Sequence, residues 1–152
     1  MINIKIFLGY DHQGVKCKNT ITNYLEENGI EVIDTNIPND DLDDYPDFAK
    51  SVCKNVLKEN ALGVLVCGSG IGMSIAANKI RGIRCARVFN SDDALLAKNH
   101  NGANVIAFSA NLNEEEIHKI LDNFIMGREP DEERHLRRIA KIKEIEEENC
   151  AN

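Results

Sequence analysis

A cysteine followed by alternating glycines is the feature of this chain that most strongly suggests chemistry. Cys67 ends an apolar run, and Gly68, Ser69, Gly70 and Gly72 come directly after it. Glycines permit a sharp turn that aims several backbone N–H groups at one point, and the start of a helix favours negative charge there. The same field favours the thiolate of Cys67 as a base or nucleophile. A lone cysteine is more often a small buried hydrophobic residue, but the glycine pattern favours the functional interpretation.

A second polar pair follows the first apolar segment. Asp11 and His12 stand between Gly9 and Gly14, at the expected carboxyl end of a strand, where open α/β sheets bind ligands. The segment is not a Walker A loop, because Val15 follows Gly14 where that motif has lysine. It is not a dinucleotide fingerprint either, since Asp11 occupies a glycine position of that motif.

Three further polar segments are candidates for binding: one around His100, one with two arginines near the end of the chain, and an acidic run at 40–44. His100 and Asn101 belong to a segment that we interpret as a polar turn before the fifth strand. Arg134 and Arg138 share one face of a predicted helix, where they can converge on a phosphate; the alternative is pairing with acidic neighbours on a solvated surface. The run from Asp40 to Asp44 lacks the glycine and glutamate of a calcium loop, so we expect a solvated acidic loop.

Several other classes of enzyme fit the sequence poorly. A low-molecular-weight tyrosine phosphatase needs arginine six residues after its cysteine, and Met73 stands there. A cysteine hydrolase with His12 or His100 as base remains a weaker alternative. The zinc deaminase pattern is absent, and along the sequence no other histidine and cysteine cluster has metal-ligand spacing.

Composition limits the class of protein further. The 152 residues suffice for one domain, predicted to span residues 1–152, and 43% are hydrophobic while 28% are charged. The apolar runs are too short for a membrane span, and no secretion leader is recognisable, so we expect a cytoplasmic protein. Five cysteines without a C-x-x-C pair predict reduced thiols. A net charge of −7 disfavours general nucleic-acid binding.

The hydrophobic pattern alternates between strands and helices. Strands are predicted at 2–8, 30–34, 63–66, 83–88 and 104–108, and helices at 15–28, 45–58, 71–79, 91–99 and 113–126. This alternation is typical of a three-layer α/β fold, Rossmann-like or flavodoxin-like, with a five-stranded parallel sheet. An extra helix at about 130–149 carries an apolar stripe. The stripe packs either on its own domain or on a second subunit, and periodicity favours neither.

Taken together, these segments resemble the ribose-5-phosphate isomerase type B family. The resemblance runs from the first strand to Ile142 and is most specific between Cys67 and Lys79. The family also includes galactose-6-phosphate isomerase subunits, which lack part of the cysteine and histidine set present here. The matching positions are Gly9, Asp11 and His12, then Asp44 to Pro46, Cys67 to Lys79, Gly82 to Arg84, His100, Asn101 and Asn104, and Arg134, His135 and Arg138.

The resemblance implies a metal-free and cofactor-free isomerisation between ribose 5-phosphate and ribulose 5-phosphate through an enediolate. Cys67 would be the base, while Ser69 and the N–H groups from Gly68 to Gly72 would hold the oxyanion. The family further implies a homodimer or tetramer with composite sites. By the same resemblance, His100 and Asp11 would open the furanose ring, and Tyr45 and Asn101 would position the sugar. The phosphate would be bound by His12, Arg134 and Arg138.

Two positions depart from the family pattern. Asn111 stands where a phosphate-binding arginine is usual, and Gln13 stands where a small residue is usual. An amide cannot offer phosphate the charged pair of N–H donors of an arginine. We therefore expect weaker phosphate binding, compensation by Arg137 or by lysines, or a changed substrate. Another aldose phosphate, such as allose 6-phosphate, and a non-catalytic sugar-phosphate-binding module therefore remain as alternatives.

Overall fold

Five parallel strands form one sheet in the computed structural model, which describes residues 3–35 and 37–150. The strand order is β2-β1-β3-β5-β4. This confirms the three-layer α/β fold with a five-stranded parallel sheet, with the last two strands exchanged relative to the flavodoxin order. The strands are β1 (Lys5–Tyr10), β2 (Glu31–Asp34), β3 (Leu62–Cys67), β4 (Cys85–Arg87) and β5 (Val105–Ser109).

Within the described residues, six helices cover the sheet and its edge. Two apolar clusters lie on opposite faces: one contains buried residues of α1, α4 and α5, and the other contains those of α2 and α3. Because both faces are covered, the central strands are apolar on both sides. The helices are α1 (Lys18–Glu27), α2 (Tyr45–Glu59), α3 (Ile71–Ala77), α4 (Ser91–Asn101), α5 (Glu114–Met126) and α6 (Glu133–Cys150).

The first predicted strand and helix differ from the structure at their ends. Strand β1 continues to Tyr10, and residue 2, where we expected it to begin, lies outside the described residues. The first helix begins as a 3-10 turn at Val15–Cys17 and becomes α-helical at Lys18. The tight turn brings this segment back over the end of the sheet, with the Cys17 thiol donating to the Ala110 carbonyl at 3.3 Å.

The edge strand β4 is shorter than the six residues expected from its apolar pattern. Two asparagine side chains hold the backbone beside its start: the Arg84 N–H donates to Asn104 Oδ1 and the Cys85 N–H to Asn78 Oδ1, both at 2.8 Å. These bonds satisfy backbone groups without a neighbouring strand.

The C-terminal helix lies outside the three layers. Its first turns pack against α4, where His135 is buried. Leu136, Ile142 and Ile145 of the predicted stripe are exposed within this chain. The helix is therefore present as expected, and most of its apolar stripe is not covered by its own chain.

Among the described residues, no helix combines the length and apolar character needed to span a bilayer.

The connection from β3 to α3 depends on one glycine. Gly70 has a φ of +80°, and a Cβ there would lie 2.8 Å from the Phe108 Cα. Phe108 is fully buried, and its backbone is held within β5, so it cannot move away cheaply. Any other residue at position 70 would meet both backbone strain and a steric clash.

We therefore expect Gly70→Ala to lower the free energy of unfolding by more than the strain alone. Gly29→Ala is the matched control, since Gly29 has a φ of +76° but no atom within 4 Å of the added Cβ. Gly29→Ala should cost about 1 kcal/mol from strain, and Gly70→Ala about 2 kcal/mol more from the clash. Urea unfolding curves measure both, and equal costs would contradict the clash.

Candidate active site

The thiol of Cys67 lies at the carboxyl end of β3, within the glycine loop. The residue is 5% exposed, and the Gly70 N–H donates to its Sγ at 3.2 Å. Ser109 Oγ donates to the Gly68 carbonyl at 2.7 Å, which fastens the loop to β5. One backbone N–H of the glycine loop, that of Gly70, therefore contacts the thiol.

Ser69 is at the exposed tip of this loop. Its hydroxyl accepts the Ile71 N–H at 3.1 Å, and its carbonyl accepts Arg87 Nε at 3.0 Å. The Arg87 guanidinium also stacks on the Phe89 ring, 3.8 Å from the centroid. Arg87 was missed by the sequence analysis, because nothing in its position on β4 indicates that its side chain reaches the glycine loop.

Asp11 lies beside this loop at the end of β1. Its N–H donates to the Val66 carbonyl at 3.3 Å, one residue before Cys67. Its Oδ1 accepts the Gln13 and Gly14 N–H groups at 3.0 and 3.1 Å. With 6% exposure, the carboxylate is buried but well satisfied by these bonds.

His12 is held by an acidic residue that the sequence analysis treated as solvated. Asp43 Oδ1 lies 2.7 Å from His12 Nδ1 and also accepts the His12 N–H at 3.2 Å. The side chain of Asp43 is 5% exposed, so the expectation of a wholly solvated acidic loop is wrong at this residue. Asn39 Nδ2 donates to the other Asp43 oxygen at 3.2 Å and to the Tyr10 carbonyl at 2.8 Å, which draws the loop onto β1.

This contact changes the protonation of both partners. The hydrogen bond that the His12 ring donates to Asp43 raises the pKa of His12 against a smaller opposing effect of burial, and the charge of Asp43 adds to the rise. Burial opposes ionisation of Asp43, but hydrogen bonds from the His12 ring and backbone and from Asn39 outweigh it and lower the pKa of Asp43. The pair therefore favours an imidazolium beside a carboxylate. Ligand-type atoms of Asp11, His12 and Asp43 all lie within 4.8 Å of one another, a cluster that sequence spacing did not indicate.

Tyr45 completes this group from the start of α2. Its ring lies on Gly72, where a Cβ would be 2.7 Å from two ring carbons. Gly72 is thus required for the close approach of an aromatic ring to the loop. The carboxyl edge of the sheet accordingly gathers Cys67, Gly68, Ser69, Gly70, Gly72, Asp11, His12 and Tyr45.

The other four predicted site residues lie at the opposite edge of the sheet. His100 and Asn101 are the last residues of α4, not part of a turn, and the turn follows at Gly102. The next strand then starts at Val105, which pairs with Gly63 near the beginning of β3. Lys98 of the same helix lines a cavity together with Lys5 and Leu62, the first residues of β1 and β3.

The start of α6 lies at this same edge. The rings of His135 and His100 stack with centroids 4.3 Å apart, and the Arg128 N–H donates to Asn99 Oδ1 at 2.7 Å. Arg134 and Arg138, on the exposed side of α6, flank His135. Arg134 pairs with Glu132 at 3.0 Å, and Arg137 pairs with Glu133 at 2.7 Å.

His135 is an unusual group within this contact. It is 7% exposed, and its Nε2 has no hydrogen-bond partner in the described part of the chain. Burial lowers its pKa, and the nearby charges of His100, Arg134 and Arg138 lower it further, against an opposing effect of Glu132. A neutral His135 ring can therefore pack on His100 without repulsion.

One chain does not bring the two groups together. The strand β3 separates the two edges, and five steps of about 3.3 Å give a distance of about 17 Å along it. His100, Asn101, Arg134 and Arg138 are thus far from Cys67 of the same chain.

Three other cysteines, buried or half-buried, lie away from the glycine loop. Burial raises the pKa of Cys53 and of Cys85 to about 12, and it also raises the pKa of Cys17. Cys53 and Cys85 therefore stay protonated at neutral pH. Neither lies in the glycine loop.

Comparisons with known proteins agree with this architecture. A model of the ribose/galactose isomerase family matches residues 6–142. A probable ribose-5-phosphate isomerase B of Mycoplasma pneumoniae is 38% identical over 97% of this chain and 98% of that protein. The ribose-5-phosphate isomerase B of Escherichia coli K12 is 38% identical over 94% of this chain and 97% of that protein.

A solved structure of ribose-5-phosphate isomerase B from Mycoplasma genitalium, with ribulose 5-phosphate bound, is similar with a TM-score of 0.90 and 38% identity. The similarity covers 97% of this chain and 99% of that one. Sequence and structure agree over almost the whole length, and the chain belongs to the ribose/galactose isomerase family.

Proposed function

We propose that this protein interconverts ribose 5-phosphate and ribulose 5-phosphate. The observation that carries the proposal is the buried Cys67 thiol inside a loop of backbone N–H groups, with Asp11 beside it at the same sheet edge. The relatives named ribose-5-phosphate isomerase B, one of them with ribulose 5-phosphate bound, support this substrate.

Cys67 acts as the general base on the open-chain sugar. The thiolate takes the proton from C2, and the electron pair moves through C1 onto the aldehyde oxygen, which gives an enediolate. Returning the proton to C1 and moving the hydroxyl proton of O2 to O1 completes the ketose. Backbone N–H groups between Gly68 and Gly72, with the Ser69 hydroxyl, stabilise the oxyanion, and because the sheet already holds the loop, little reorganisation is needed.

Asp11 and His100 open the furanose ring before this step, and Tyr45 and Asn101 position the sugar. The Tyr45 ring on Gly72 forms one wall beside the loop. His12, Arg134 and Arg138 bind the phosphate, and the contact with Asp43 keeps His12 protonated for this task.

Two chains are needed to build each site, because His100, Asn101, Arg134 and Arg138 lie at the sheet edge away from Cys67. We propose a homodimer, or a tetramer built from such dimers, in which each chain supplies these four residues to its partner. The apolar side chains exposed near β4 support this arrangement, and they would be costly to leave in water. They are Ile71, Ile75, Phe89, Leu96, Ile142 and Ile145.

The first test is turnover of ribose 5-phosphate by the purified protein with a chelator present. Cys67→Ala should lower kcat by about 10²- to 10⁴-fold, the usual contribution of a positioned base. Cys150→Ala is the control, because this exposed thiol lies at the end of α6 outside the proposed site. Full turnover by Cys67→Ala would overturn the mechanism, and preference for allose 6-phosphate would change the substrate.

Mixed dimers test whether the site is shared. Cys67→Ala and His100→Ala chains, each nearly inactive alone, are co-expressed with different tags, and dimers that carry both tags are isolated. One of the two sites then has an intact Cys67 and an intact His100, so we expect about half of the wild-type activity from the two-fold symmetry. Mixed dimers as inactive as their parents would show that each site lies within one chain.

The His12–Asp43 contact predicts a pH dependence of KM. Because the pKa of His12 is raised from its ordinary value, the imidazolium is lost only as the pH rises through that higher value, and KM should rise there. Asp43→Asn should move the rise to lower pH. Kinetics across pH, together with NMR titration of the His12 ring, measure both shifts. Asp47→Asn, an exposed change in α2, is the control, and an unchanged profile in Asp43→Asn would contradict the role of the contact.

A further inference from the structure

The 3-10 turn after Asp11 carries a lysine whose charge is not neutralised. Lys16 Nζ donates to Asn111 Oδ1 at 2.6 Å, and this partner is an uncharged amide. Within residues 3–35 and 37–150, no carboxylate forms an ion pair with Lys16. Lys16 thus presents an exposed ammonium group whose position is fixed but whose positive charge is free to meet an anion.

This ammonium is tied to the loop that contains Cys67. The Asn111 N–H donates to Ser109 Oγ at 3.0 Å, and Ser109 Oγ donates in turn to the Gly68 carbonyl at 2.7 Å. From the other side, the Cys17 thiol donates to the Ala110 carbonyl at 3.3 Å. Lys16 therefore lies at the carboxyl edge of the sheet, joined through Asn111 and Ser109 to the loop that contains Cys67.

The other cations described at this edge already have partners. Lys18 pairs with Asp34 at 3.4 Å and lies over the Tyr10 ring. Arg87 donates to the Ser69 carbonyl and stacks on Phe89. Arg87 has no carboxylate partner among the described residues either, but its guanidinium is held on the Phe89 ring, whereas the Lys16 ammonium is bonded to Asn111, where the expected arginine is missing.

We propose that Lys16 binds the phosphate of the substrate and that Asn111 is the residue that positions it. The sequence alone marked Asn111 as a missing positive charge, and the structure shows a lysine ammonium bonded to that amide. The pair thus restores a cation beside position 111, supplied by the 3-10 turn that follows β1. This inference rests on the proposed function, because it assumes a phosphorylated sugar.

A lysine in this role should act on binding and not on proton transfer. The ammonium contacts the end of the substrate that does not react. Its loss therefore weakens the binding of the ground state and of the transition state equally. Charge-assisted hydrogen bonds to phosphate are stronger than neutral ones. We expect about a tenfold effect, which is the size of one such bond at a solvated site.

The variant Lys16→Met tests this inference, with Lys119→Met as the matched control. Lys119 is also exposed and pairs with Glu115 on α5, away from the site. In Lys16→Met, KM for ribose 5-phosphate and the inhibition constant of inorganic phosphate should both rise about tenfold, with kcat within about twofold. Lys16→Arg should stay close to wild type, since it keeps the charge.

A double variant separates phosphate binding from a structural role. Asn111→Arg in the Lys16→Met background returns a cation at position 111. It should recover most of the lost affinity for phosphate. A purely structural lysine would instead lower the unfolding temperature and kcat together, and Asn111→Arg would restore neither. That pattern would overturn the proposal.

Direct calorimetry of inorganic phosphate keeps this inference separate from the proposed function. If the wild-type protein fails to isomerise ribose 5-phosphate but Lys16→Met binds inorganic phosphate about tenfold more weakly, the function is wrong and the role of Lys16 stands. If the wild type isomerises and Lys16→Met leaves KM and phosphate affinity unchanged, Lys16 is not a phosphate ligand.

Discussion

In a parallel sheet, every crossover helix carries the chain from the carboxyl ends of the strands back to their amino ends. The candidate site depends on this constraint. Residues that follow a strand, such as Asp11 and Cys67, meet at the carboxyl edge. Residues that end a helix, such as His100 and Asn101, are delivered to the amino edge. The two sets are chemically complementary, but the length of β3 keeps them apart. Subunit association is therefore part of the chemistry that we propose, since it alone brings both sets to one substrate.

The carboxyl edge is rigid because its polar groups bond to one another before any ligand arrives. Asp11 accepts two backbone N–H groups, Asp43 holds His12, and Ser109 fastens Gly68. Buried polar groups that lack partners are costly, so this network has few alternative arrangements. The glycine loop is held in the same way by close packing on Phe108 and Tyr45. The thiol thus meets a substrate in a frame that is already formed.

Much of this architecture could be predicted from the sequence, because periodicity reports which residues are buried. The regular alternation of apolar strands and helices predicted the parallel sheet and the helices on both of its faces. The order of β4 and β5 was not predictable, since both orders give the same alternation. The length of β4 was overestimated because the side chains of Asn78 and Asn104 accept the backbone N–H groups at its start.

Within the candidate site, sequence patterns indicated residues whose type and spacing are distinctive but missed residues that are placed by long-range contacts. Cys67 and its glycines are recognisable from spacing alone. Asp43 looked like any other residue of an acidic loop, and only the fold brings it to His12. Arg87 reaches the glycine loop at Ser69, and Lys16 reaches Asn111, in each case from a segment that is far away in sequence. Such long-range pairs leave no periodic signal in one chain.

The stack of His135 on His100 has a consequence for substrate choice. It fastens α6 to α4, so the histidine proposed to open the sugar ring and the arginines proposed to hold the phosphate form one stiff unit. Under the proposed function, the packing of α6 on α4 sets the separation between the ring-opening histidine and the phosphate-binding arginines. A change in how the two helices pack would therefore change the carbon-chain length that fits, without altering any residue that touches the sugar.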